Sequence, residues 1–156
     1  MLAQPKPAFN LYDTEMPLYT NARMLPPAKI TRSTVEHAII SEGSVIVDSH
    51  ITDSVIGIRS FIGRGTRINR AVILGSDYYW WQDPEARDPV QGPACPGIGE
   101  GTRIENAIVD RNASIGKECV IVNQAKVEEG EGPGFSIREG IVVIVKNAEI
   151  PDGTVI

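Results

Sequence analysis

Aliphatic residues recur along most of this chain at steps of five or six positions. This spacing fits neither the period of a helix nor the strict alternation of a half-buried strand. Three steps add up to about 16 residues, so each group of three predicts one coil of a repeating structure. The steps run through Ile30, Val35, Ile40, Ile46, Ile51, Ile56, Ile62, Ile68 and Leu74, and then through Ile98, Ile104, Val109, Ile115, Ile121, Val127, Ile144, Ile150 and Ile156.

Four segments of six residues align when the chain is compared with itself near this offset. Each contains an aliphatic residue, two polar residues, a small Ala or Ser, and two more aliphatic residues. The small residue is suited to a corner where the chain turns inward. The segments are VEHAII (35–40), ITDSVI (51–56), INRAVI (68–73) and IENAIV (104–109).

Self-similarity at a short fixed period indicates a solenoid, in which each coil buries its apolar residues against its neighbours. We therefore predict an all-β fold, a left-handed parallel β-helix of about six triangular coils, over residues 30–156. The hand is inferred from the hexapeptide pattern, since ordinary parallel crossovers are right-handed. Almost no helix is expected, because no window keeps a helical apolar spacing. The unpaired strand edges of the end coils predict oligomerisation.

Three segments interrupt the period. Residues 1–29, rich in proline, are predicted to be an extended interdomain linker. Residues 75–97 are predicted to form a long loop, and residues 128–136 a shorter, acidic, glycine-rich loop. The aromatic residues 78–81 are expected to cover the flank of the β-helix or an interface, and a platform for a sugar or a partner is the alternative.

Composition narrows the partners and the compartment. The 156 residues carry a net charge of −5 without a basic run, so nucleic acid is not an expected partner. No signal peptide or membrane span is recognised, which predicts a cytoplasmic chain that does not bind membranes. Cys95 and Cys119 are expected to be reduced thiols, with Cys119 packed at a small-residue position.

Five segments carry a resemblance to a known family: PLYTNARMLPPAKI (17–30), SVIGIRSFIGRGTRI (54–68), LGSDYY (74–79), IVDRNASIG (108–116) and IREGIVVIVKNAEIPDGTVI (137–156). On these residues the chain resembles the C-terminal β-helix domain of ADP-glucose pyrophosphorylase (glucose-1-phosphate adenylyltransferase) of the plant and cyanobacterial type. Hexapeptide repeats alone occur in many acyltransferases and nucleotidyltransferases. The combination of GSDYY, DRNASIG and VIVKNAEIPDGTVI is more specific.

The resemblance implies a role in an enzyme that makes ADP-glucose from ATP and glucose 1-phosphate with magnesium, for glycogen or starch synthesis. The family's catalytic domain is an N-terminal nucleotidyltransferase domain, and nothing comparable is present in this sequence. GIGEG at 97–101 continues straight into the repeat and is interpreted as corner glycines. The chain is thus expected to carry no catalytic residue, metal site or cofactor of its own. It would serve as a regulatory and oligomerisation domain, within a homo-oligomer that is a tetramer in the full enzyme.

The resemblance also implies an effector site for 3-phosphoglycerate or inorganic phosphate. Its two cations fall on Lys146 of VIVKNAE and on Arg111 of IVDRNAS, where the family usually has lysine. Arginine keeps the charge and can bind a phosphate with two hydrogen bonds, although its planar group is not equivalent to an ammonium. Asp110 is expected to orient the arginine or to pair with it.

Two other functions stay open on the sequence. A free-standing hexapeptide acyltransferase would use a histidine as general base, and His50 is the candidate. A purely structural subunit would bind no ligand and would pair with a catalytic homologue. The γ-class carbonic anhydrase on the same fold binds zinc through three histidines and is excluded, because this chain has only His37 and His50.

Overall fold

A computed structural model describes residues 13–16, 19, 21, 23–79 and 96–156 of the chain. Every regular element in these residues is a strand, and no helix occurs among them. The strands, numbered β1 to β18 in chain order, form three sheets. The expectation of an all-β chain with almost no helix is confirmed for the described residues.

The three sheets are the three faces of a prism. The first contains β1 (Lys29–Thr31), β4 (Val45–Val47), β7 (Phe61–Ile62), β10 (Gly97–Ile98), β13 (Ser114–Ile115) and β18 (Glu149–Ile150). The second contains β2 (Thr34–Glu36), β5 (His50–Thr52), β8 (Arg67–Asn69), β11 (Arg103–Glu105) and β14 (Val120–Ile121). The third contains β3 (Ile39–Ile40), β6 (Val55–Ile56), β9 (Val72–Ile73), β12 (Ala107–Val109), β17 (Ile141–Ile144), β16 (Phe135–Arg138) and β15 (Glu129–Gly132).

Three consecutive strands, one in each sheet, make a coil. Coils 1 to 4 are β1–β3, β4–β6, β7–β9 and β10–β12, and coil 5 consists of β13, β14 and β17. A partial sixth coil begins with β18 and ends where Val155 bridges to Val120. Apart from the pairs β15–β16 and β16–β17, the named strands pair in parallel with the coil above or below, as a parallel β-helix requires.

The register reproduces the repeat seen in the sequence. Val35, Ile51, Ile68 and Ile104 lie opposite one another on successive coils. The last aliphatic residues of the four segments align in the same way on the third sheet. These positions point inward, so the core is a stack of aliphatic side chains; those with 0% exposure are Ile46, Ile51, Ile56, Ile62, Ile104, Ile121, Val142 and Ile144. The aliphatic period thus specified both the coil and the core.

The corners explain the polar and small residues of the repeat. The third residue of each segment has a positive φ, which is 48° or 49° at His37, Asp53, Arg70 and Asn106. The small residue that follows lies inside the corner and leaves room for the neighbouring coil. At Ser54 the hydroxyl donates to Thr52 O at 2.6 Å and accepts from the backbone N–H of Ala71 at 3.1 Å. The polar group is therefore buried without losing its hydrogen bonds.

The prediction of a loop over 128–136 is wrong, because most of this segment is a β-hairpin. β15 pairs antiparallel with β16, and β16 pairs antiparallel with β17, which extends the third sheet. The turn contains Gly134 at φ 77°. Across the strands Arg138 contacts Glu131 at 2.5 Å and Glu129 at 3.3 Å. Cross-strand pairing and these contacts override the weak strand propensity of glycine and glutamate.

The other two interruptions are described only in part. Residues 80–95 of the 75–97 excursion, with Trp80, Trp81 and Cys95, lie outside the described residues. Of the described aromatic residues, Tyr79 contacts the flank of the β-helix through its hydroxyl, which donates to Gly43 O at 3.1 Å, and Tyr78 is 42% exposed. The described residues before Lys29 contain no strand, and the linker over 1–29 stays a prediction.

Candidate functional site

The predicted site residues lie at the corner where the coil passes from the third sheet to the first. Arg111 follows β12 and Lys146 follows β17, and the strand register places them at the same position of coils 4 and 5. The corner is held by the backbone, since the N–H of Asn147 donates to Arg111 O at 3.0 Å. Stacking therefore brings the two cations side by side on the surface.

Asp77 of coil 3 lies between the two cations. Arg111 Nη1 is 2.6 Å from Asp77 Oδ1. Lys146 Nζ is 3.9 Å from the other carboxylate oxygen, Oδ2. We call these three residues the corner cluster. One carboxylate is thus shared by an arginine of one coil and a lysine of the next.

Asn112 holds the carboxylate in place. Its side-chain oxygen accepts from the backbone N–H of Asp77 at 2.8 Å and from the hydroxyl of Ser76 at 3.2 Å. Its amide nitrogen donates to Asp77 Oδ2 and to Asn147 Oδ1, each at 3.2 Å. Asn112 and Asn147 have φ of 60° and 59°, a region that asparagine tolerates better than most residues. The two asparagines thus form both the turn and the hydrogen-bonded base of the cluster.

The charges of the cluster act on Asp77. The hydrogen bond from Arg111 lowers the pKa of the Asp77 carboxyl below its usual value, and partial burial opposes this shift. The amide of Asn112 and the positive charges of Arg111 and Lys146 lower the pKa further. The side chains of Arg111 and Lys146 are 38% and 54% exposed. Both cations are accessible from solvent and can contact an anion, by a forked guanidinium and by a point charge respectively.

Asp110 contacts the backbone of Arg111 and not its guanidinium. Its Oδ1 accepts the backbone N–H of Arg111 at 2.6 Å, while the guanidinium of Arg111 turns to Asp77. Asp110 therefore stabilises the turn that carries the arginine, and it contributes no side-chain ion pair to the cluster. The sequence reasoning missed Asp77, although GSDYY was among the conspicuous motifs. The strand register could have pointed to Asp77, because Gly75 lies opposite Arg111 on the preceding coil and Asp77 follows two residues later.

The histidines lie elsewhere. His50 is exposed on the second sheet, in register with Thr34 and Arg67, and its side chain has no hydrogen bond or ion pair within the described part of the chain. His37 Nδ1 is 3.7 Å from Asp53 Oδ1 at an exposed corner. Over residues 23–79 and 96–156, no group of three or more His, Cys, Asp or Glu side chains is placed to hold a metal ion. The same residues contain no helix that could span a membrane.

Cys119 is buried at a corner between the first and second sheets, as predicted. Ser49, Thr66 and Thr102 occupy the same corner of the preceding coils, each with its hydroxyl donating to a glycine carbonyl of the next coil. The thiol continues this ladder, with Sγ 3.2 Å from Pro151 O. Its role is packing and hydrogen bonding at a corner.

Comparison with protein families agrees with this architecture. The model of the GLGC left-handed parallel beta-helix domain matches residues 23–155, a range that includes the eighteen strands found in the described part of the chain. The match establishes the left-handed sense of the coils and confirms the resemblance to an ADP-glucose pyrophosphorylase-type domain. This chain belongs to the GLGC left-handed parallel beta-helix domain family.

Proposed function

We propose that this chain is the regulatory and oligomerisation domain of a glucose-1-phosphate adenylyltransferase and that the corner cluster binds a phosphorylated effector. The observation that carries the proposal is that Arg111 and Lys146, on neighbouring coils, both reach one carboxylate. A site that binds a carboxylate with both cations has the charge and the donors for a phosphate oxygen.

The chemistry of the two side chains supports a phosphate in particular. Arg111 offers several N–H donors in one plane, and Lys146 adds a mobile point charge from the neighbouring coil. Both are surface residues at the end of short, well-packed strands, so the corner is formed before a ligand arrives. By family membership the effector is 3-phosphoglycerate or inorganic phosphate, and the reaction it regulates needs ATP and magnesium in a separate N-terminal nucleotidyltransferase domain.

The first coil supports the proposed role in assembly. β1, β2 and β3 are the outermost strands of their sheets at one end of the prism. Ile30 is 46% exposed, although Ile46 and Ile62, opposite it on the next two coils, are completely buried. An uncovered core position and free strand edges favour contact with another domain or another copy. The partners we propose are the N-terminal domain and further copies of the enzyme, as a homo-tetramer in the cytoplasm.

The direct test uses Lys146→Glu in the full enzyme that contains this chain. Activation by 3-phosphoglycerate should be lost or strongly weakened, while turnover without the activator should change little, because the cluster is not a catalytic site. Lys117→Glu is the matched control, since Lys117 is an exposed lysine at a different corner. Unchanged activation of the Lys146→Glu enzyme would contradict the proposal.

A further inference from the structure

The carboxylate of Asp77 occupies the position that an anionic ligand would take between Arg111 and Lys146. Each of its oxygens faces one of the cations, at 2.6 Å and 3.9 Å. A ligand that uses both cations fully must therefore replace this carboxylate. The carboxylate of Asp77 therefore fills the proposed anion-binding site of the same chain.

We propose that Asp77 is a built-in competitor that any anion must displace before it can contact both Arg111 and Lys146, so that only a strongly attracted anion such as a phosphate dianion occupies the corner cluster. The inference rests on the proposed function, because it assumes that Arg111 and Lys146 bind an anion. It adds a residue that neither the sequence nor the family match assigned to the site.

The charges of the cluster decide which anions can displace Asp77. Arg111 and Lys146 provide two positive charges, and Asp77 neutralises one of them. A singly charged carboxylate that displaces Asp77 exchanges one negative charge for another and loses the contacts from Asn112. A phosphate dianion brings a second charge and a third oxygen, which one carboxylate cannot match. The dianion therefore gains more electrostatic attraction in displacing Asp77 than a singly charged anion does.

The hydrogen bonds that hold Asp77 at the site make its carboxylate a stronger competitor. Asn112 binds both the backbone N–H and the carboxylate of Asp77, so the carboxylate is held at the site. A tethered group competes at an effective concentration in the millimolar range or higher. Every external anion is therefore weakened by the fraction of time that Asp77 is in place.

The experiment is calorimetric titration of the 156-residue chain with inorganic phosphate and, separately, with acetate. Asp77→Asn removes the charge and keeps the shape of the side chain. We expect it to bind phosphate about tenfold more tightly than the natural chain and to give measurable acetate binding, since the competing state is removed. Asp77→Glu, which keeps the charge, should resemble the natural chain and bind phosphate more weakly than Asp77→Asn does. Asp53→Asn, at another exposed corner, is the control for loss of a surface carboxylate.

The outcomes separate this inference from the proposed function. If the natural chain binds phosphate and Asp77→Asn binds it equally or more weakly, the competitor role is wrong and the site stands. If neither chain binds phosphate, both proposals are wrong. Should Asp77→Asn fail to fold, the ¹³Cγ resonance of Asp77 in the natural chain decides: displacement predicts a shift toward that of a free aspartate as phosphate saturates, and a fixed resonance despite saturation overturns the inference.

Discussion

The guanidinium of Arg111 hydrogen-bonds to the carboxylate of Asp77 at 2.6 Å, across 34 residues of sequence. Asp77 comes at the end of coil 3, just where the chain departs on its long excursion, and Arg111 comes at the same corner of coil 4. The contact therefore ties the start of the excursion to the regular part of the solenoid.

Removal of the guanidinium should weaken anion binding. In the 156-residue chain Arg111→Ala should reduce the affinity for inorganic phosphate by about tenfold or more, the amount expected when a charged hydrogen bond is lost. Arg111→Lys should retain part of the affinity, because the charge remains and the forked geometry is lost. Calorimetric titration measures both, with Arg64→Ala, an exposed arginine at another corner, as control. Equal affinity of Arg111→Ala and the natural chain would remove Arg111 from the site.

The ion pair should make stability depend on pH in acid. The pKa of Asp77 is lowered in the folded state, so between the folded and unfolded pKa values the unfolded chain binds more protons. The contribution of Asp77 is fully present above its unfolded pKa and is lost as the pH falls through the folded value. Because the pair is partly exposed, it contributes at most about 1 kcal/mol.

The check is the Tm of the natural chain against that of Asp77→Asn over a pH series. The natural chain should melt slightly higher at pH 7, and the difference should disappear at pH values below the ordinary aspartate range. If the difference in Tm persisted unchanged in acid, the charge of Asp77 would not be the cause of that difference.

The loss of stability caused by shortening a core isoleucine should depend on the coil in which it lies. Ile62→Ala removes a fully buried side chain in coil 3 and should lower the free energy of unfolding by about 2–5 kcal/mol. Ile30→Ala, at the corresponding position of the open first coil, removes a side chain that is 46% exposed and should cost clearly less. Urea unfolding of the two variants measures the difference. Equal losses would show that the first coil is covered in solution, as in an oligomer.

The corner at Cys119 should accept a hydroxyl and reject a larger side chain. Cys119→Thr reproduces the residue found at Thr66 and Thr102 and should keep the stability close to that of the natural chain. Cys119→Leu forces extra volume into a closed corner and should destabilise the fold by about 1–3 kcal/mol. Thermal unfolding under reducing conditions compares the two, and a stable Leu variant would contradict the packing described for this corner.

Much of the fold was predictable because one rule repeats. Ile51, Ile68 and Ile104 follow the same spacing, and the parallel register that joins them is the only one that buries all three. Arg111 and Lys146 were expected from the family resemblance and not from the repeat, and the strand register then places them at equivalent positions of successive coils.

The remaining features break the repeat and could not be read from it. Asp77 reaches Arg111 because the chain leaves the coil after Ser76, and its direction there depends on hydrogen bonds to Asn112 rather than on any period. The hairpin of β15 and β16 was missed because glycine and glutamate favour loops when taken alone. Its strands are stabilised by pairing with β17, a contact between residues that the local sequence does not reveal.

The three members of the cluster come from three successive coils, and in a solenoid the strands of each coil pair only with those of its immediate neighbours. Local opening that begins at the carboxyl-terminal end must free Lys146, then Arg111, before it reaches Asp77. The contacts of the cluster therefore link coils 3, 4 and 5. An anion that displaced Asp77 would instead join Arg111 of coil 4 to Lys146 of coil 5, and amide hydrogen exchange of β12 and β17 would slow while that of the first coil stayed the same.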